Sequence, residues 1–217
     1  VHGAAIVKGR TEAEFLEVND GGTRHLLDAT LAEAPGVRRF VLVSSLEVVG
    51  PSPDGAPLPE DAPPRPITRY GRSKLASERT VLARKGELPV TILRPTAIYG
   101  PRDAEILELF KVARKGVVPM LGAPDTRLTL VHGADCARAI IAALETPHES
   151  GRVFHVADGE IYDWDRVTRA IQDALGGGGF RLAVPRGLLM ARATAFEVWG
   201  KLRDRAVMET REKVGVL

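Results

Sequence analysis

The fold is decided by residues 39–45, which read Arg-Phe-Val-Leu-Val-Ser-Ser. The apolar residues of this run are adjacent and do not alternate with polar ones, which is typical of a strand buried on both faces. Strands of this kind occur in parallel sheets that helices cover on both sides. The run therefore predicts an α/β fold, in which Ser44 and Ser45 mark the carboxyl end of a central strand.

The chain on both sides of this strand alternates between helical and strand patterns, which predicts a parallel sheet. Residues 11–33 have apolar residues at helical spacing, and Thr11 with Glu14 forms a capping box. A second buried strand over residues 90–94 stops at Pro95. Residues 50–66 hold seven prolines and are expected to form a long irregular loop. The other predicted elements are helices 68–85, 103–115, 134–145, 163–175 and 186–203, and strands 127–131, 152–157 and 179–184.

Composition excludes several classes of protein. The 217 residues are 44% hydrophobic and 27% charged, which are values of a globular chain and not of a disordered one. The net charge of +2, without a basic run, gives no electrostatic footprint for nucleic acid. The single cysteine, Cys136, excludes an internal disulfide, and we expect it in the core. The five histidines lack the paired spacing of metal ligands, so we expect no metal. No apolar run is long enough to span a membrane, so we expect no membrane partner. The lone cysteine fits the reducing cytoplasm, where we expect the protein.

A tyrosine and a lysine four residues apart carry the strongest chemical signal. In the run Tyr70-Gly71-Arg72-Ser73-Lys74, both side chains lie on one face of a predicted helix. A free phenol is a poor acid or base at neutral pH, and an adjacent ammonium lowers its pKa. The spacing alone also arises by chance, where a tyrosine merely packs against a lysine stem. Ligands bind beyond the carboxyl ends of parallel strands, so Ser44, Ser45 and residues 95–97 are expected to line one rim.

Six segments follow one another in a characteristic order. They are residues 2–5 (His-Gly-Ala-Ala), 18–27 (Val-Asn-Asp-Gly-Gly-Thr-Arg-His-Leu-Leu), 43–50 (Val-Ser-Ser-Leu-Glu-Val-Val-Gly), Tyr70 with Lys74, 93–102 (Leu-Arg-Pro-Thr-Ala-Ile-Tyr-Gly-Pro-Arg) and 130–135 (Leu-Val-His-Gly-Ala-Asp). This order resembles the extended short-chain dehydrogenase/reductase superfamily of NAD-dependent epimerases and dehydratases. The resemblance implies a doubly wound, Rossmann-like parallel sheet, with residues 1–100 as the C-terminal portion of an NAD(P)-binding domain. Residues 101–217 would form a smaller substrate-binding region interleaved with the last sheet strands.

The resemblance also implies a role for individual residues. Tyr70 would exchange a proton with the oxygen of a small-molecule substrate, and Ser45 would hydrogen-bond the same oxygen. Lys74 would bind the nicotinamide ribose and lower the pKa of Tyr70, while Asn19 would brace the site. Besides Tyr70 and Lys74, the residues expected to contact the cofactor, NAD or NADP, are Ala4, Ala5, Ser44, Pro95, Thr96 and Ile98. Helices 11–33 and 68–85 would pair with those of a second copy in a homodimer.

Two features depart from the family pattern as a whole. The glycine-rich phosphate-binding signature is absent, and the chain opens with Val1-His2-Gly3 in place of a methionine. We therefore expect an N-terminally truncated sheet, a fragment of a longer domain that is inactive by itself.

Further departures bear on the substrate. Leu46 stands where the resembling dehydratases carry the Asp of an Asp-Glu pair, which argues against dehydration. Leu128 stands where sugar-nucleotide epimerases carry an Arg that grips the diphosphate, and the neighbouring Arg127 faces the other side of its strand. These features favour an NAD(P)-dependent oxidoreductase of a carbonyl or secondary alcohol, similar to 3β-hydroxysteroid dehydrogenases and dihydroflavonol reductases. A nucleoside-diphosphate-sugar epimerase is the alternative, and an NAD(P)-binding regulator without turnover is the third hypothesis.

Overall fold

A computed structural model of the chain describes residues 1–121 and 126–184, together with residues 187, 188, 190, 191, 194 and 195. Its elements are α1 (Glu12–Phe15), a π-helical segment (Leu16–Gly21), α2 (Gly22–Glu33), β1 (Phe40–Val43), a 3₁₀ turn (Leu46–Val48), α3 (Arg69–Ala83), β2 (Val90–Pro95), β3 (Ala97–Tyr99), α4 (Ala104–Ala113), β4 (Val117–Leu121), β5 (Arg127–Leu128), β6 (Leu130–His132), α5 (Gly133–Glu145), β7 (Arg152–Val156), β8 (Tyr162–Asp163), α6 (Trp164–Ala174) and β9 (Phe180–Val184). The helix predicted over 186–203 lies largely outside the described residues.

The main sheet is parallel, with its strands in the order β1-β2-β7. A parallel bridge between His2 and Leu42 continues it beyond β1. In this bridge the His2 amide donates to the Val41 carbonyl (2.8 Å), and the Val43 amide donates to the His2 carbonyl (2.9 Å). Because these segments run in one direction, their carboxyl ends meet at one edge of the sheet. The parallel α/β fold predicted from residues 39–45 is confirmed.

Successive residues of β1 pack on opposite faces of this sheet. Phe40 and Leu42 join a buried cluster with Leu27 of α2 and Val81 of α3. Val41 joins a second cluster with residues of α5 on the opposite face. Cys136 belongs to that second cluster, where burial raises the pKa of its thiol. The doubly wound arrangement thus follows directly from the uninterrupted apolar run.

Three smaller two-stranded pairings, β3-β6, β4-β9 and β5-β8, complete the described part of the chain. The sequence patterns did not predict β3, β4 or β8, and the strand predicted over 127–131 is divided into β5 and β6. β4 contains Pro119, which has no N–H to donate to a ladder, and β8 has only two residues. Such short strands depend on a distant partner more than on their own sequence. The predicted division at residue 100 stays a prediction.

The segment that carries the proline-rich loop is held close to α3 and the sheet. The Arg65 amide donates to the Val48 carbonyl (3.1 Å), and Gly50 takes a positive φ of 71° at a point where a Cβ would lie 2.3 Å from the Arg65 carbonyl oxygen. At the start of α3, a Cβ on Gly71 would lie 2.8 Å from the Glu47 carbonyl oxygen. Glycine at position 71 therefore allows α3 to approach the end of β1.

None of the described helices combines the length and the apolar character that crossing a membrane requires.

Replacing Gly71 with alanine tests this close approach. Alanine within a helix normally stabilises it relative to glycine, but here the added methyl group meets backbone, so we expect Gly71→Ala to lower the free energy of unfolding by about 1–3 kcal/mol. Gly22 is the matched control, because it also lies in a helix and a Cβ added there would meet nothing within 4 Å. Urea denaturation should give opposite signs for the two variants, and equal stabilisation would contradict the packing described.

Acidification should destabilise the fold partly through His2. Burial, followed by the charge of Lys74, lowers the pKa of His2, whose Nε2 lies 2.9 Å from the Thr23 hydroxyl. An unfolded histidine titrates near pH ~6.5, so below that value the unfolded chain binds more protons than the folded one, and stability falls as the pH falls. His155, whose pKa burial also lowers, acts in the same direction.

Urea denaturation between about pH 7 and pH 5.5 would measure this effect. We expect His2→Gln to flatten the dependence of unfolding free energy on pH, whereas the same change at exposed His25 should leave it unaltered. If the unfolding free energy of His2→Gln depended on pH as steeply as that of the unmodified chain, His2 would not contribute to the loss of stability in acid.

Candidate active site

The helix that carries Tyr70 and Lys74 is anchored at its first turn. Thr68 is the N-cap of α3, and its hydroxyl accepts a hydrogen bond from the Gly71 amide at 2.9 Å. The same hydroxyl donates to a carboxylate oxygen of Glu47 at 2.5 Å. Because Glu47 lies in the 3₁₀ turn directly after β1, these bonds fix the start of α3 against the carboxyl end of that strand.

Tyr70 and Ser45 are brought together at this point. The Tyr70 ring packs edge-on against Phe15 with 6.5 Å between centroids. Burial and the Glu47 carboxylate raise the pKa of Tyr70 to about 12, whereas the nearby Ser45 hydroxyl lowers it. At neutral pH the phenol is protonated and able to donate its proton.

The expected lowering of the Tyr70 pKa by Lys74 stays a prediction, because in this structure burial and Glu47 raise that pKa. The Lys74 ammonium donates to the carbonyl oxygen of Val43 at 2.8 Å and is thereby directed to the strand end. Burial lowers the pKa of Lys74 to about 8, while Glu78 acts to raise it. Desolvation of the phenol and the nearby Glu47 charge therefore outweigh any help from the ammonium.

Asn19 connects two segments of the site through its side chain. Its side-chain oxygen accepts from the Ile6 amide (2.8 Å), and its Nδ2 donates to the Ile6 carbonyl (3.1 Å) and the Ser73 hydroxyl (2.9 Å). It lies in the π-helical segment that interrupts the helix predicted over 11–33. Insertions of this type frequently occur at functional sites. Asn19 thus joins the segment after His2 to the helix of Tyr70.

The remaining predicted cofactor contacts lie around the same edge of the sheet. Ala4 is exposed and Ala5 half-buried, directly after the residue that bridges to β1. Pro95 ends β2, and Ile98 is exposed in β3. The Thr96 amide donates to the Val156 carbonyl at 3.0 Å, whereas its hydroxyl oxygen is buried and has no hydrogen-bond partner among the described residues.

Ser44 has a different environment from the one predicted for it. Its hydroxyl donates to Glu78 Oε1 at 2.6 Å, on the side of the strand end that faces the protein interior. The Ser44 hydroxyl has thus used its one donor on Glu78, and the predicted cofactor contact of Ser44 stays a prediction.

Sequence reasoning did not identify Thr68, Gly71, Glu78 and Arg94 as parts of the site. Arg94 forms a two-bond ion pair with Glu78, through Nε to Oε1 (2.9 Å) and Nη2 to Oε2 (2.7 Å). The signal in the sequence was the position of Glu78, one helical turn after Lys74, together with the placement of an arginine in a buried strand. Two such charged residues indicate an ion pair only when the helix and the strand that carry them are known to be in contact.

Position 128, where the resemblance to sugar-nucleotide epimerases would place an arginine that grips a diphosphate, is a leucine. Leu128 is half-buried there, and Arg127 donates through Nη1 to the Gly55 carbonyl of the proline-rich loop at 3.1 Å. Within residues 1–121 and 126–184, no three or more His, Cys, Asp or Glu side chains are grouped so as to hold a metal ion.

Comparison with known proteins identifies the family of the chain. Residues 3–157 match the model of the NAD dependent epimerase/dehydratase family. The chain is 30% identical over 205 residues to a ceramide reductase of Caulobacter vibrioides, covering 94% of this chain and 58% of that protein. It is 31% identical over 176 residues to a UDP-glucose 4-epimerase of Vibrio cholerae, covering 79% of this chain and 53% of that protein.

The fold is also similar to solved structures. MoeE5 in complex with UDP-glucuronic acid and NAD matches with a TM-score of 0.69 and 28% identity, over 79% of this chain and 59% of that one. The Rossmann-like fold that the resemblance implied is confirmed. The chain spans between half and three fifths of the length of these relatives. The chain belongs to the NAD dependent epimerase/dehydratase family.

Proposed function

We propose that the protein is an NAD(P)-dependent oxidoreductase that reduces a carbonyl group to a secondary alcohol, or catalyses the reverse reaction, with Tyr70 as the proton donor or acceptor. The observation that carries the proposal is the placement of the Ser45 hydroxyl near the Tyr70 phenol, with Lys74 held one turn further along the same helix. A protonated phenol beside a second hydroxyl is suited to polarising a carbonyl oxygen and then protonating it.

The residues at the rim fit a nicotinamide cofactor. The Thr96 hydroxyl is buried without a partner among the described residues, which is the situation of a group that a ligand completes. The Lys74 ammonium has three N–H donors and uses one of them on the Val43 carbonyl. The other two can donate to ribose hydroxyls. NAD and NADP are the cofactors proposed, and when bound in reduced form they supply the hydride.

The proton chemistry belongs to the chain itself. Ser45 and Tyr70 donate hydrogen bonds to the substrate oxygen, and the Tyr70 proton moves to that oxygen as negative charge develops there. The resulting phenolate is stabilised by the Ser45 hydroxyl and by the positive charge of Lys74 one helical turn away. Glu47, which is bound to Thr68, keeps the phenol protonated before the reaction.

The side chains near the substrate support a carbonyl substrate without a diphosphate. Leu46 replaces the acid that dehydration would need, and Leu128 offers no charge to a diphosphate. The likeness to a ceramide reductase over 94% of the chain points the same way. The likeness to a UDP-glucose 4-epimerase favours the second candidate, a sugar-nucleotide epimerase that uses the same three residues.

Two substrate panels separate these candidates. The intact protein, supplied with NADH or NADPH, should consume reduced nicotinamide with ketone substrates such as 3-ketosteroids or long-chain keto lipids. UDP-glucose and related sugar nucleotides should remain unchanged when analysed by chromatography. Epimerisation of a sugar nucleotide without ketone reduction would favour the epimerase over the reductase. Cofactor binding without either activity would favour an NAD(P)-binding regulator.

Tyr70→Phe tests the role of the phenol. Removing one oxygen keeps the ring and its contact with Phe15, so we expect kcat to fall by about 10²–10⁴-fold with little change in cofactor affinity. Steady-state kinetics and cofactor titration of the intact protein would measure both quantities. A variant with undiminished kcat would contradict proton transfer through Tyr70. Tyr162→Phe, at a half-buried tyrosine in β8, is the matched control for loss of a phenol oxygen.

The dependence of reduction on pH should reflect Lys74. With a pKa of about 12, Tyr70 stays protonated through the neutral range, whereas Lys74 loses its charge above about pH 8. We expect kcat/KM for the ketone to fall on the alkaline side from about pH 8. Lys74→Arg should move this fall to higher pH at a lower maximal rate, because a guanidinium stays charged but is shaped differently. An unmoved alkaline limb would assign it to another group.

A further inference from the structure

A buried ion pair lies behind the site and has no part in the proton transfer proposed above. The side chains of Glu78 and Arg94 are 2% and 6% exposed, and two hydrogen bonds join them. Burying two charges is costly, and a buried pair is often no more stable than apolar residues of similar volume. Stability alone therefore does not account for this pair, and its other contacts lead to the catalytic elements.

Glu78 reaches the strand end through Ser44. Its Oε1 accepts from the Ser44 hydroxyl at 2.6 Å and also from Arg94 Nε at 2.9 Å. Ser44 lies between Val43, whose carbonyl accepts from Lys74, and Ser45, whose hydroxyl is near the Tyr70 phenol. A carboxylate that fixes Ser44 thereby fixes the backbone on which both of its neighbours depend.

Glu78 is also the negative charge on the helix face of Lys74. The two residues are one turn apart in α3, and Lys74 is 2% exposed. The other titratable or charged groups around Lys74 are Tyr70 on its own helix, His2 beside β1, Arg94 in β2 beyond Glu78, and Glu47 in the 3₁₀ turn. His2 is neutral at working pH because burial lowers its pKa, and Glu47 is engaged with Thr68.

We propose that Glu78 is a positioning residue for Lys74: its carboxylate, oriented by Arg94, supplies the counter-charge that keeps the buried ammonium protonated and fixes the strand end through Ser44. Arg94 holds both carboxylate oxygens, so the carboxylate cannot turn away from Lys74 and Ser44. This inference deepens the proposed function, because the ammonium that it supports is the one expected to bind the cofactor ribose.

The direction of the effect follows from two opposing influences on Lys74. Burial lowers the pKa of Lys74 to about 8, and Glu78 is the charge that limits this fall. Without the carboxylate, the ammonium would still be buried but would lose the negative charge that favours its protonated form, so its pKa would fall further. A unit charge at about 6 Å and an effective dielectric constant of about 20 is worth a shift of about one to two pH units.

The experiment is an NMR titration of Lys74 in the intact protein without substrate or cofactor. Lysine labelled at Cε is titrated in the unmodified protein, in Glu78→Gln and in the double variant Glu78→Gln/Arg94→Gln, and Lys74→Met identifies the resonance. We expect the midpoint of Lys74 to fall by about one to two pH units in both charge variants. Glu87→Gln, which removes an exposed carboxylate just beyond the same helix, should leave it unchanged.

Each outcome distinguishes positioning from a merely structural pair. If Glu78 served only to neutralise Arg94, the double variant, which leaves no charge unpaired, would recover the midpoint of the unmodified protein. An unchanged midpoint in either charge variant overturns the proposal. Should Glu78→Gln fail to fold because Arg94 is left unpaired, the double variant decides the question.

Kinetics then connects the inference to the reaction. The alkaline limb of kcat/KM should move to lower pH in the charge variants by the same amount as the NMR midpoint. A shifted midpoint in a protein that reduces no ketone would refute the proposed function and leave the role of Glu78 intact. An unchanged Lys74 midpoint in the charge variants of an active reductase would refute the role of Glu78 and leave the proposed function intact.

Discussion

The hydrogen bond from Lys74 to the Val43 carbonyl, 2.8 Å long, is the contact on which the rest of the site depends. It ties α3, which carries Tyr70 and Lys74, to the end of the central strand. A carbonyl at the end of a parallel strand lacks its next ladder partner, so it is free to accept from a side chain. The ammonium in turn is buried and needs such an acceptor. Each group satisfies the other, and the register between helix and strand follows.

That register is reinforced by contacts between backbone and short side chains. Thr68 caps α3 and binds Glu47, and Gly71 leaves room for the carbonyl of Glu47. On the other side, Asn19 links the segment after His2 to Ser73. These contacts hold the Tyr70 phenol between two segments that are distant in sequence. Such a rigid first turn is what preorganised proton transfer requires.

The electrostatics of the site favour a phenol that keeps its proton until a substrate arrives. Burial and a nearby carboxylate act on Tyr70 in one direction, whereas the lysine expected to oppose them points to the strand end. The charge of Lys74 is itself balanced by a carboxylate that an arginine holds from behind. Under the proposed function, the substrate class depends on other positions, such as Leu46 and Leu128.

Sequence alone determined the parallel α/β fold, because the adjacent apolar residues of 39–45 can be buried only by helices on both faces of a sheet. Strand ends and a four-residue helical spacing also predicted that Tyr70, Lys74 and Ser45 lie in one region, and the family resemblance added Asn19. The tertiary structure decided what the sequence could not: the partner of each polar group. Whether the Lys74 ammonium faces a phenol or a carbonyl, whether Ser44 faces a ligand or Glu78, and where the short strands β3, β4 and β8 pair all depend on residues far away in the chain. Local patterns specify which face a side chain occupies, but the charge and hydrogen-bond environment on that face is supplied by whatever packs against it.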